Sequence, residues 1–306
     1  MINSDSLDAQ LPVFQALSSE IRIQIMDLIL GQNGINLKQL ASSLNISIST
    51  LSPHVAKLRD CGLIRLEDAP ASHGTQKCCY PAMEQLLISL DPLANLAPVI
   101  LEEIPIGHYS DFDITPTCGL ASATSFLGQV DEPRSFARID HFHAGILWFT
   151  TGYIEYILPN SIPVNHRIDH LSLSFEVSSE APRFNNDWPS DIEFSLNGVS
   201  LGIWTCPGDY GGRRGFHNPA WWYSFLNQYG ILKNLTINTE GTWLDGQKLS
   251  DVTVCDLNLN AQSILKFRFS VHPDRQNARG LTLYGRGFGD HNQNIRMTVE
   301  FSPDPQ

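Results

Sequence analysis

The segment from Cys206 to Gly230 concentrates side chains that could bind a polar ligand. Aromatic faces stack on the C–H surface of a sugar, while carboxylate, amide and guanidinium groups bond its hydroxyls. A loop of this length in a compact domain is usually functional. The pattern favours a pocket wall for a small ligand, with a saccharide as one candidate. The predicted ligand-binding residues are Asp187, Trp188, Asp209, Tyr210, Arg213, Arg214, Trp221, Trp222, Asn227 and Tyr229.

The same residue types also have structural uses, which leaves an alternative open. Trp221 and Trp222 would then be core anchors, and Arg213 and Arg214 would pair with surplus carboxylates. For any single residue of the segment this structural role is the favoured one. For the segment as a whole, a pocket wall is favoured.

Two further groupings suggest chemistry that the sequence does not complete. His141 and His143 would share one face of a strand, but no third metal ligand is identifiable, so no metal site is expected. Asp187, Asp191 and Glu193 could supply paired carboxylates for glycoside hydrolysis. Acidic residues are common on a solvated strand face, however. No catalytic residue and no cofactor is therefore assigned.

A second polar run starts at Ser47, a candidate N-cap. The apolar residues that follow it, Ile48, Leu51, Val55 and Leu58, have the spacing of one helical face, and Gly62 ends the pattern. Pro53 lies past the first turn, where its missing N–H can kink the helix. Burial of the apolar face would turn outward a set of polar side chains, namely Ser49, Thr50, Ser52, His54 and Lys57.

The elements around this helix form a known arrangement. A helix from Leu37 to Leu44 and a turn at Asn45-Ile46 precede it, and strands at 63–67 and 76–80 follow it as a hairpin wing. Further upstream, an apolar stripe from Phe14 to Ile29 predicts one helix, or two with a break near 16–18. Such a helix-turn-helix places its second helix in the major groove of double-stranded DNA. The predicted DNA-binding residues are Lys38, Ser47, Ser49, Thr50, Ser52, His54, Lys57, Arg59, His73 and Lys77.

These first 90 residues resemble the winged-helix domain of the arsenic-repressor (ArsR) type. The matching stretches are FQALSSEIRIQIMDLIL and LKQLASSLNISISTLSPHVAKLRDCGLIRLE. The resemblance implies a homodimer whose recognition helix contacts DNA through Ser49, Thr50, Ser52 and His54. Metal-sensing members carry cysteine pairs in the helix-turn-helix region, and the helix from Leu37 to Leu44 has none. Winged helices also serve as protein-protein modules, and that alternative stays open.

The rest of the chain has a different pattern of residues. Residues 81–105 are apolar and interrupted by Pro92 and Pro98, with a short helix whose apolar face either dimerises or packs on its own domain. From Gly107 onward, short alternating runs separated by turn residues predict an antiparallel β-sandwich, jelly-roll-like. The expected class is α+β multidomain. The expected divisions are 1–90, a linker at 91–106, and 107–306.

Bulk properties agree with this division. Residues 1–90 carry 6 Lys and Arg against 8 Asp and Glu, and residues 91–306 carry 14 against 24, so most of the net charge of -12 belongs to the second domain. Six cysteines without CxxC spacing indicate free thiols, although the adjacent Cys78 and Cys79 leave a thiol sensor as an alternative. No signal sequence or membrane-spanning run is found. A cytoplasmic protein is expected.

Together these patterns favour a transcriptional regulator, a dimeric repressor whose operator affinity a small effector controls. PTCGLAS, HFHAGILWF, DWPSDIEFSLNG and NQYGILK extend a resemblance to predicted bacterial regulators that pair a winged helix with a β-sandwich, with no settled ligand. An enzyme is not expected. The alternative is a carbohydrate-binding or carbohydrate-active protein that uses the winged helix for assembly.

Overall fold

The structure is a computed structural model that describes residues 7–32, 34–70, 75–82, 99–257 and 259–304. The chain divides into two compact units, residues 1–96 and 97–306. The first contains helices and a small sheet, and the second is almost entirely β. The expected α+β multidomain class is confirmed. Within these ranges, none of the helices has the length and apolarity needed to span a membrane.

The N-terminal unit begins with two helices, α1 (Leu7–Leu17) and α2 (Glu20–Leu30). The two-helix alternative is therefore confirmed, with the break at Ser18 and Ser19. Arg22 of α2 donates to the carbonyl of Gln15 at 2.9 Å and to that of Ala16. Carbonyls in the last turn of a helix lack intrahelical partners. Arg22 therefore stabilises the end of α1 from outside.

The helix-turn-helix consists of α3 (Leu37–Ser43) and α4 (Ile48–Asp60). A two-residue strand β1 (Ile35–Asn36) precedes it, and the wing strands β2 (Ile64–Pro70) and β3 (Thr75–Pro81) follow, in the sheet order β1-β3-β2. Asn45 in the turn has φ 52°, a left-handed conformation that asparagine tolerates. The predicted helix, turn, helix and wing are all present.

Gly62 ends α4 as the sequence predicted. Its φ of 79° is left-handed, and the N–H groups of Gly62 and Leu63 donate to the carbonyls of Arg59 (2.9 Å) and Leu58 (3.0 Å). This is the glycine-terminated helix end in which the last carbonyls are satisfied by the reversing chain. The chain is thereby turned directly into β2.

In its described residues, the C-terminal unit contains two 3-10 helices (Pro133–Ala137 and Ile139–His143), together with thirteen antiparallel strands and one short α-helix. The strands and the α-helix are β4 (Val99–Ile104), β5 (Asp111–Ala121), β6 (Phe126–Leu127), β7 (Ile146–Leu158), β8 (His166–Ser178), β9 (Ser190–Leu196), β10 (Val199–Cys206), β11 (Ile231–Asn238), β12 (Gly241–Leu244), β13 (Gln247–Ser250), α5 (Val254–Leu257), β14 (Leu265–Val271), β15 (Leu281–Tyr284) and β16 (Ile295–Pro303).

These strands form one hydrogen-bonded network that nearly closes on itself. One half runs β5-β7-β14-β9-β10 and the other runs β4-β16-β8-β11-β12-β13. Strand β15 joins them because it pairs with β7 on one side and with β8 on the other. At the far edges, Ser250 Oγ donates to the carbonyl of Leu201 at 2.7 Å. The large antiparallel β region is confirmed, and its jelly-roll description stays a prediction.

The core of this unit lies between the two halves and is rich in aromatic rings. Phe175 and Phe269 meet edge to face with centroids 4.8 Å apart, and Phe194 and Phe267 stack at 6.4 Å. Edge-to-face and offset contacts are favourable arrangements of aromatic quadrupoles. Alternation along β8, β9, β14 and β16 directs these side chains inward.

The hairpin between β9 and β10 turns at Asn197 and Gly198, with φ values of 50° and 80°. Two successive left-handed residues define a two-residue hairpin turn that strongly favours Asn-Gly. The sequence predicted this hairpin correctly.

Three features differ from the sequence predictions. Val99–Ile104 form β4, so the second unit begins inside the predicted linker 91–106. The predicted runs 146–149 and 153–157 are one strand, β7, because Gly152 at φ 109° has no Cβ to collide with Asp113 of β5. The segment 139–143 is a 3-10 helix, so His141 and His143 do not share a strand face. His73 and the predicted helix at 83–90 lie outside the described residues.

The stability of the N-terminal unit should depend on the inward face of α4. We expect Leu51→Ala, at a side chain with no exposed surface, to lower the free energy of unfolding of this unit by about 2–5 kcal/mol. Ile48→Ala on the same helix removes a side chain that is 44% exposed and should cost about 0.5 kcal/mol or less. Urea unfolding followed by helical circular dichroism measures both. Equal losses for the two variants would contradict the placement of α4.

Candidate nucleic-acid interface and ligand cavity

The first turn of α4 presents a cluster of hydroxyl groups. Ser47 Oγ accepts from the N–H of Thr50 at 3.1 Å, which makes Ser47 the N-cap as predicted. The hydroxyls of Ser49 and Thr50 lie 2.7 and 2.8 Å from Ser47 Oγ. Because Leu51 and Val55 point into the core, the hydroxyl cluster is on the exposed side.

The predicted DNA-binding residues that the structure describes differ in their exposure to solvent. On α4, His54 is half-buried, and the remaining predicted residues are exposed. Lys38 on α3 and Lys77 on β3 are exposed as well. The structure thus leaves accessible a set of side chains that could meet DNA, namely Lys38, Ser47, Ser49, Thr50, Ser52, Lys57, Arg59 and Lys77. Their contacts with DNA stay a prediction.

Helix α4 continues through Pro53 to Asp60 rather than ending there. The missing N–H of Pro53 would have bonded to the carbonyl of Ser49, which lies in the exposed first turn where water can replace it. Ser52 Oγ donates to the carbonyl of Ile48 at 2.7 Å and satisfies the neighbouring acceptor.

Internal ion pairs reduce the positive charge of this surface. Arg59 pairs with Asp60 at 2.6 Å, and Arg65 pairs with Glu67 at 2.6 Å. In the described part of this unit, Lys38, Lys57 and Lys77 form no ion pair. Few free cations mean few neutralised phosphates for each copy of the domain, and hence a modest electrostatic contribution to affinity.

The wing strand β3 buries both of its cysteines. Burial raises the pKa of Cys79 to about 11, which disfavours the reactive thiolate. The packing role of this pair is therefore better supported than the thiol sensor.

In the C-terminal unit, several predicted ligand-binding residues instead hold the 207–230 segment in place. Arg214 donates to the carbonyls of Trp222 (3.1 Å), Asn218 (3.2 Å) and Pro219. Trp222 is buried, and its indole N–H donates to the carbonyl of Asn227 at 2.8 Å. These groups satisfy backbone acceptors in a segment without regular secondary structure.

Other predicted residues pair with one another at the surface. Arg213 pairs with Asp290 and stacks on Tyr229 with 3.7 Å between guanidinium carbon and ring centroid. Tyr229 also stacks on Tyr210, with centroids 5.6 Å apart. Asp187 is exposed beside this segment. The two other tryptophans of the predicted set donate their indole N–H groups to carbonyls, Trp188 to Glu180 (2.9 Å) and Trp221 to Ala123 (2.7 Å).

A cavity of about 190 Å³ opens beside Trp222. Phe126 and Trp148 complete its aromatic lining, and the three rings have pairwise centroid distances of 5.6, 6.1 and 6.3 Å. Of the ten predicted ligand-binding residues, Trp222 and Asn227 line this cavity and the other eight do not.

The polar lining of the cavity includes Glu180, which sequence reasoning missed. Its Oε2 accepts from Asn227 Nδ2 (3.2 Å) and from Thr282 Oγ1 (2.9 Å). Asp131, Arg183 and Thr117 also line the cavity. Nothing in the local pattern around Glu180 marks it, because its partners come from distant segments of the chain.

The carboxyl of Glu180, in the lining, interacts with a second carboxyl, Asp209, which is not part of the lining. Asp209 has no exposed surface and accepts from the N–H of Ala181 at 3.1 Å. Burial raises the pKa of Asp209 to about 8. Burial, together with the neighbouring Asp209, raises the pKa of Glu180 well above its ordinary value. Carboxyl groups with strongly raised pKa values beside a cavity mark a candidate functional site.

The candidate metal and catalytic groupings have other partners. His141 stacks on Tyr109 with centroids 4.4 Å apart, and its Nδ1 is 2.6 Å from the carbonyl of Gly107. Asp191 accepts from Thr205 at 2.7 Å, and Glu193 contacts Ser200 and His272. Over the described ranges, no three His, Cys, Asp or Glu side chains form a group that could hold a metal ion.

Comparison with known families identifies the N-terminal unit. Residues 18–65 match the family described as winged helix-turn-helix DNA-binding. The unit is therefore a winged helix-turn-helix DNA-binding domain, as the sequence predicted. Comparison with curated proteins gives no match.

Several solved structures are similar to parts of the chain. Reduced HlyU from Vibrio cholerae is 28% identical over 25% of this chain and 75% of that one, with a TM-score of 0.22. The homodimeric winged helix-turn-helix domain of Mb0332 from Mycobacterium bovis, a possible ArsR-family transcriptional regulator, is 24% identical over 27% and 76%, with a TM-score of 0.23. The Agl-KA catalytic domain is 10% identical over 52% and 22%, with a TM-score of 0.25.

The carboxyl groups of Glu180 and Asp209 predict how stability changes with pH. Because their pKa values are raised on folding, the folded unit keeps protons that the unfolded chain releases above about pH 4. This stabilising contribution is complete below about pH 4 and is lost as the pH rises to about 8. We expect the free energy of unfolding of the C-terminal unit to be lower at about pH 8.5 than at about pH 5.5, and Asp209→Asn to reduce that difference.

Urea unfolding followed by tryptophan fluorescence measures this dependence, since all six tryptophans lie in the C-terminal unit. Asp251→Asn is the matched control, because the Asp251 side chain is 96% exposed. A pH dependence that Asp209→Asn leaves unchanged would contradict the prediction.

Proposed function

We propose that the protein is a dimeric transcriptional regulator of the arsenic-repressor type, which binds operator DNA through α4 and acts as a repressor. The observation that carries the proposal is the exposed polar face of α4, capped by Ser47 and backed by the buried Leu51 and Val55, within a winged helix-turn-helix DNA-binding domain. A helix presented in this way fits the major groove, where hydroxyl, imidazole and ammonium groups meet base edges and phosphates.

Dimerisation supports binding by this domain, which has few cations that are free to contact phosphates. One copy offers Lys38, Lys57 and Lys77 as cations without internal ion pairs among the described residues. Two copies double the number of phosphates neutralised and read two half-sites. The proposed location is the cytoplasm, where such a protein reaches DNA.

The second unit is the proposed effector domain rather than an enzyme. Its cavity joins aromatic rings to the carboxyl of Glu180 and the amide of Asn227. Such a lining suits a saccharide, because C–H faces stack on rings while hydroxyls bond to planar polar groups. An effector bound there would change operator affinity by binding the DNA-competent and DNA-incompetent states of the dimer unequally.

The direct test is a shift assay with DNA fragments from the protein's own locus at low salt. We expect one fragment to be retarded and to resist an excess of unrelated duplex. Equal retardation of all fragments would indicate non-specific binding only. No retardation at low salt would refute the regulator proposal.

Lys57→Ala should weaken binding to operator and unrelated DNA alike. Loss of one phosphate contact per copy should reduce the slope of log affinity against log salt by about one per contact. Fluorescence anisotropy at several salt concentrations measures the slope. Lys248→Ala, which removes an exposed lysine of the C-terminal unit, should leave it unchanged. Identical salt-dependence slopes for the two variants would show that Lys57 does not contact the DNA backbone.

Thr50→Val should instead weaken operator binding selectively. It removes one hydroxyl at constant shape, and a lost base contact costs on the order of 1–3 kcal/mol, or about 5- to 150-fold in affinity. Unrelated duplex should bind as before, because phosphate contacts are retained. Helical circular dichroism confirms that α4 is intact. A uniform loss on all DNA would assign Thr50 to the backbone rather than to a base.

A further inference from the structure

The carboxyl of Glu180, at the cavity of the C-terminal unit, has no partner of opposite charge among the described residues. Glu180 borders it, Asp131 lines it, and Asp209 lies close enough to raise the pKa of Glu180. Among the described residues, the donors to Glu180 are the neutral side chains of Asn227 and Thr282, and no Lys, Arg or His pairs with it. A carboxylate removed from water without a partner of opposite charge is strongly unfavourable.

Two arginines near Glu180, Arg183 and Arg279, do not contact its carboxyl group. Arg183 lines the cavity but is exposed and makes no ion pair within the described ranges. The backbone carbonyl of Arg279 accepts a hydrogen bond from the N–H of Glu180 (3.0 Å). The guanidinium group of Arg279 lies over the ring of Trp188, 4.6 Å from the ring centroid. Neither supplies a counter-charge in contact with the Glu180 carboxyl.

The acceptor capacity of Glu180 is also only partly used. Both side-chain donors bond to Oε2, which leaves Oε1 without a donor from the described residues. A carboxylate has about four acceptor sites on its two oxygens. Glu180 can therefore accept hydrogen bonds from a ligand without losing those that position it.

The aromatic lining favours the same kind of ligand. The negative faces of Trp and Phe rings attract a cation, most strongly where water is excluded, and the rings also cover C–H groups. At about 190 Å³ the cavity is larger than the engineered cavity of about 150 Å³ that holds benzene. A molecule of one ring with a charged substituent fits this volume.

From these features we infer that the cavity binds a small organic ligand carrying a protonated amine, with the ammonium group on Glu180 and the carbon skeleton against Phe126, Trp148 and Trp222. This inference rests on the proposed effector domain and names the ligand class. An amino sugar satisfies both the saccharide preference and the charge. The acceptor and aromatic groups are present together in the lining, whereas the described residues offer no three-ligand metal site.

Release of protons on binding distinguishes amine ligands from neutral ones. The titratable and charged groups around Glu180 are Asp209, Asp131, Tyr284 and, at the cavity lining, Arg183. Burial and the neighbouring Asp209 raise the pKa of the Glu180 carboxyl well above its ordinary value, whereas an ammonium group bound beside it lowers that pKa again, so binding of an amine should release protons to solvent. Neutral ligands would not.

The test uses the full chain without DNA and two matched pairs of probes, glucosamine with glucose and benzylamine with benzyl alcohol. Calorimetry and melting temperature measure binding. We expect at least one amine to bind at least tenfold more tightly than its neutral partner. Its binding heat should depend on the ionisation enthalpy of the buffer, because protons are released when the amine binds.

Glu180→Gln should lower the affinity for that amine at least tenfold and leave the neutral partner unaffected. Glu240→Gln, at an exposed turn, is the control and should change nothing. If Glu180→Gln fails to fold, Asp131→Asn at the exposed edge of the lining should lower the amine affinity about two- to fivefold through the lost charge alone.

Equal binding of amine and neutral partner, full amine binding by Glu180→Gln, stabilisation by Ca²⁺ but by no amine, or no binding of either amine would each overturn the inference. The regulator proposal is judged separately by the DNA shift assay. Amine binding without operator binding would leave the cavity assignment standing and refute the regulator, and the reverse result would do the opposite.

Discussion

Burial of one stripe of α4 is the constraint on which the DNA-binding surface depends. Leu51, Val55 and Leu58 are buried in the core of the N-terminal unit, and a helix with its apolar side held in this way can present only its other side to solvent. Ser47 then caps an exposed helix end, and Gly62 turns the chain into the wing. Rotation of α4 would expose apolar surface and bury hydroxyls together, so the orientation is strongly determined.

The C-terminal unit shows how a segment without regular secondary structure is held in place. Glu176 has no exposed surface and accepts N–H groups of Gly230, Asp290 and His291 at 2.8 to 2.9 Å. Gly289 leaves room for it, because a Cβ there would lie 2.4 Å from its Oε1. Asn218 bridges the same region by donating to Gln228 and accepting from Gly289. Side chains here perform the hydrogen bonding that strands perform elsewhere.

This use of polar side chains explains why most of the predicted ligand-binding residues do not line the cavity. Arg214 and Trp222 have the chemistry of a binding site, yet their polar atoms bond to the carbonyls of their own segment. Glu180 sits in an ordinary stretch after β8 and becomes a candidate ligand contact because Asn227 and Thr282 lie beside it. The type of a residue predicts which interactions its side chain can make. Whether the side chain can bind a ligand depends on how many of those interactions are already made within the folded protein.

Local rules in the sequence were enough to determine the helix-turn-helix, the Asn197-Gly198 hairpin and the outward face of α4. Each depends on spacing within a few residues, on a cap, or on a left-handed turn, and these act over short stretches of chain. Tertiary structure alone decided that β15 would join the two halves of the sheet and that Phe126, Trp148, Glu180 and Trp222 would enclose one cavity. Those contacts join residues tens of positions apart, and their free energies depend on burial and on neighbours that no local pattern contains.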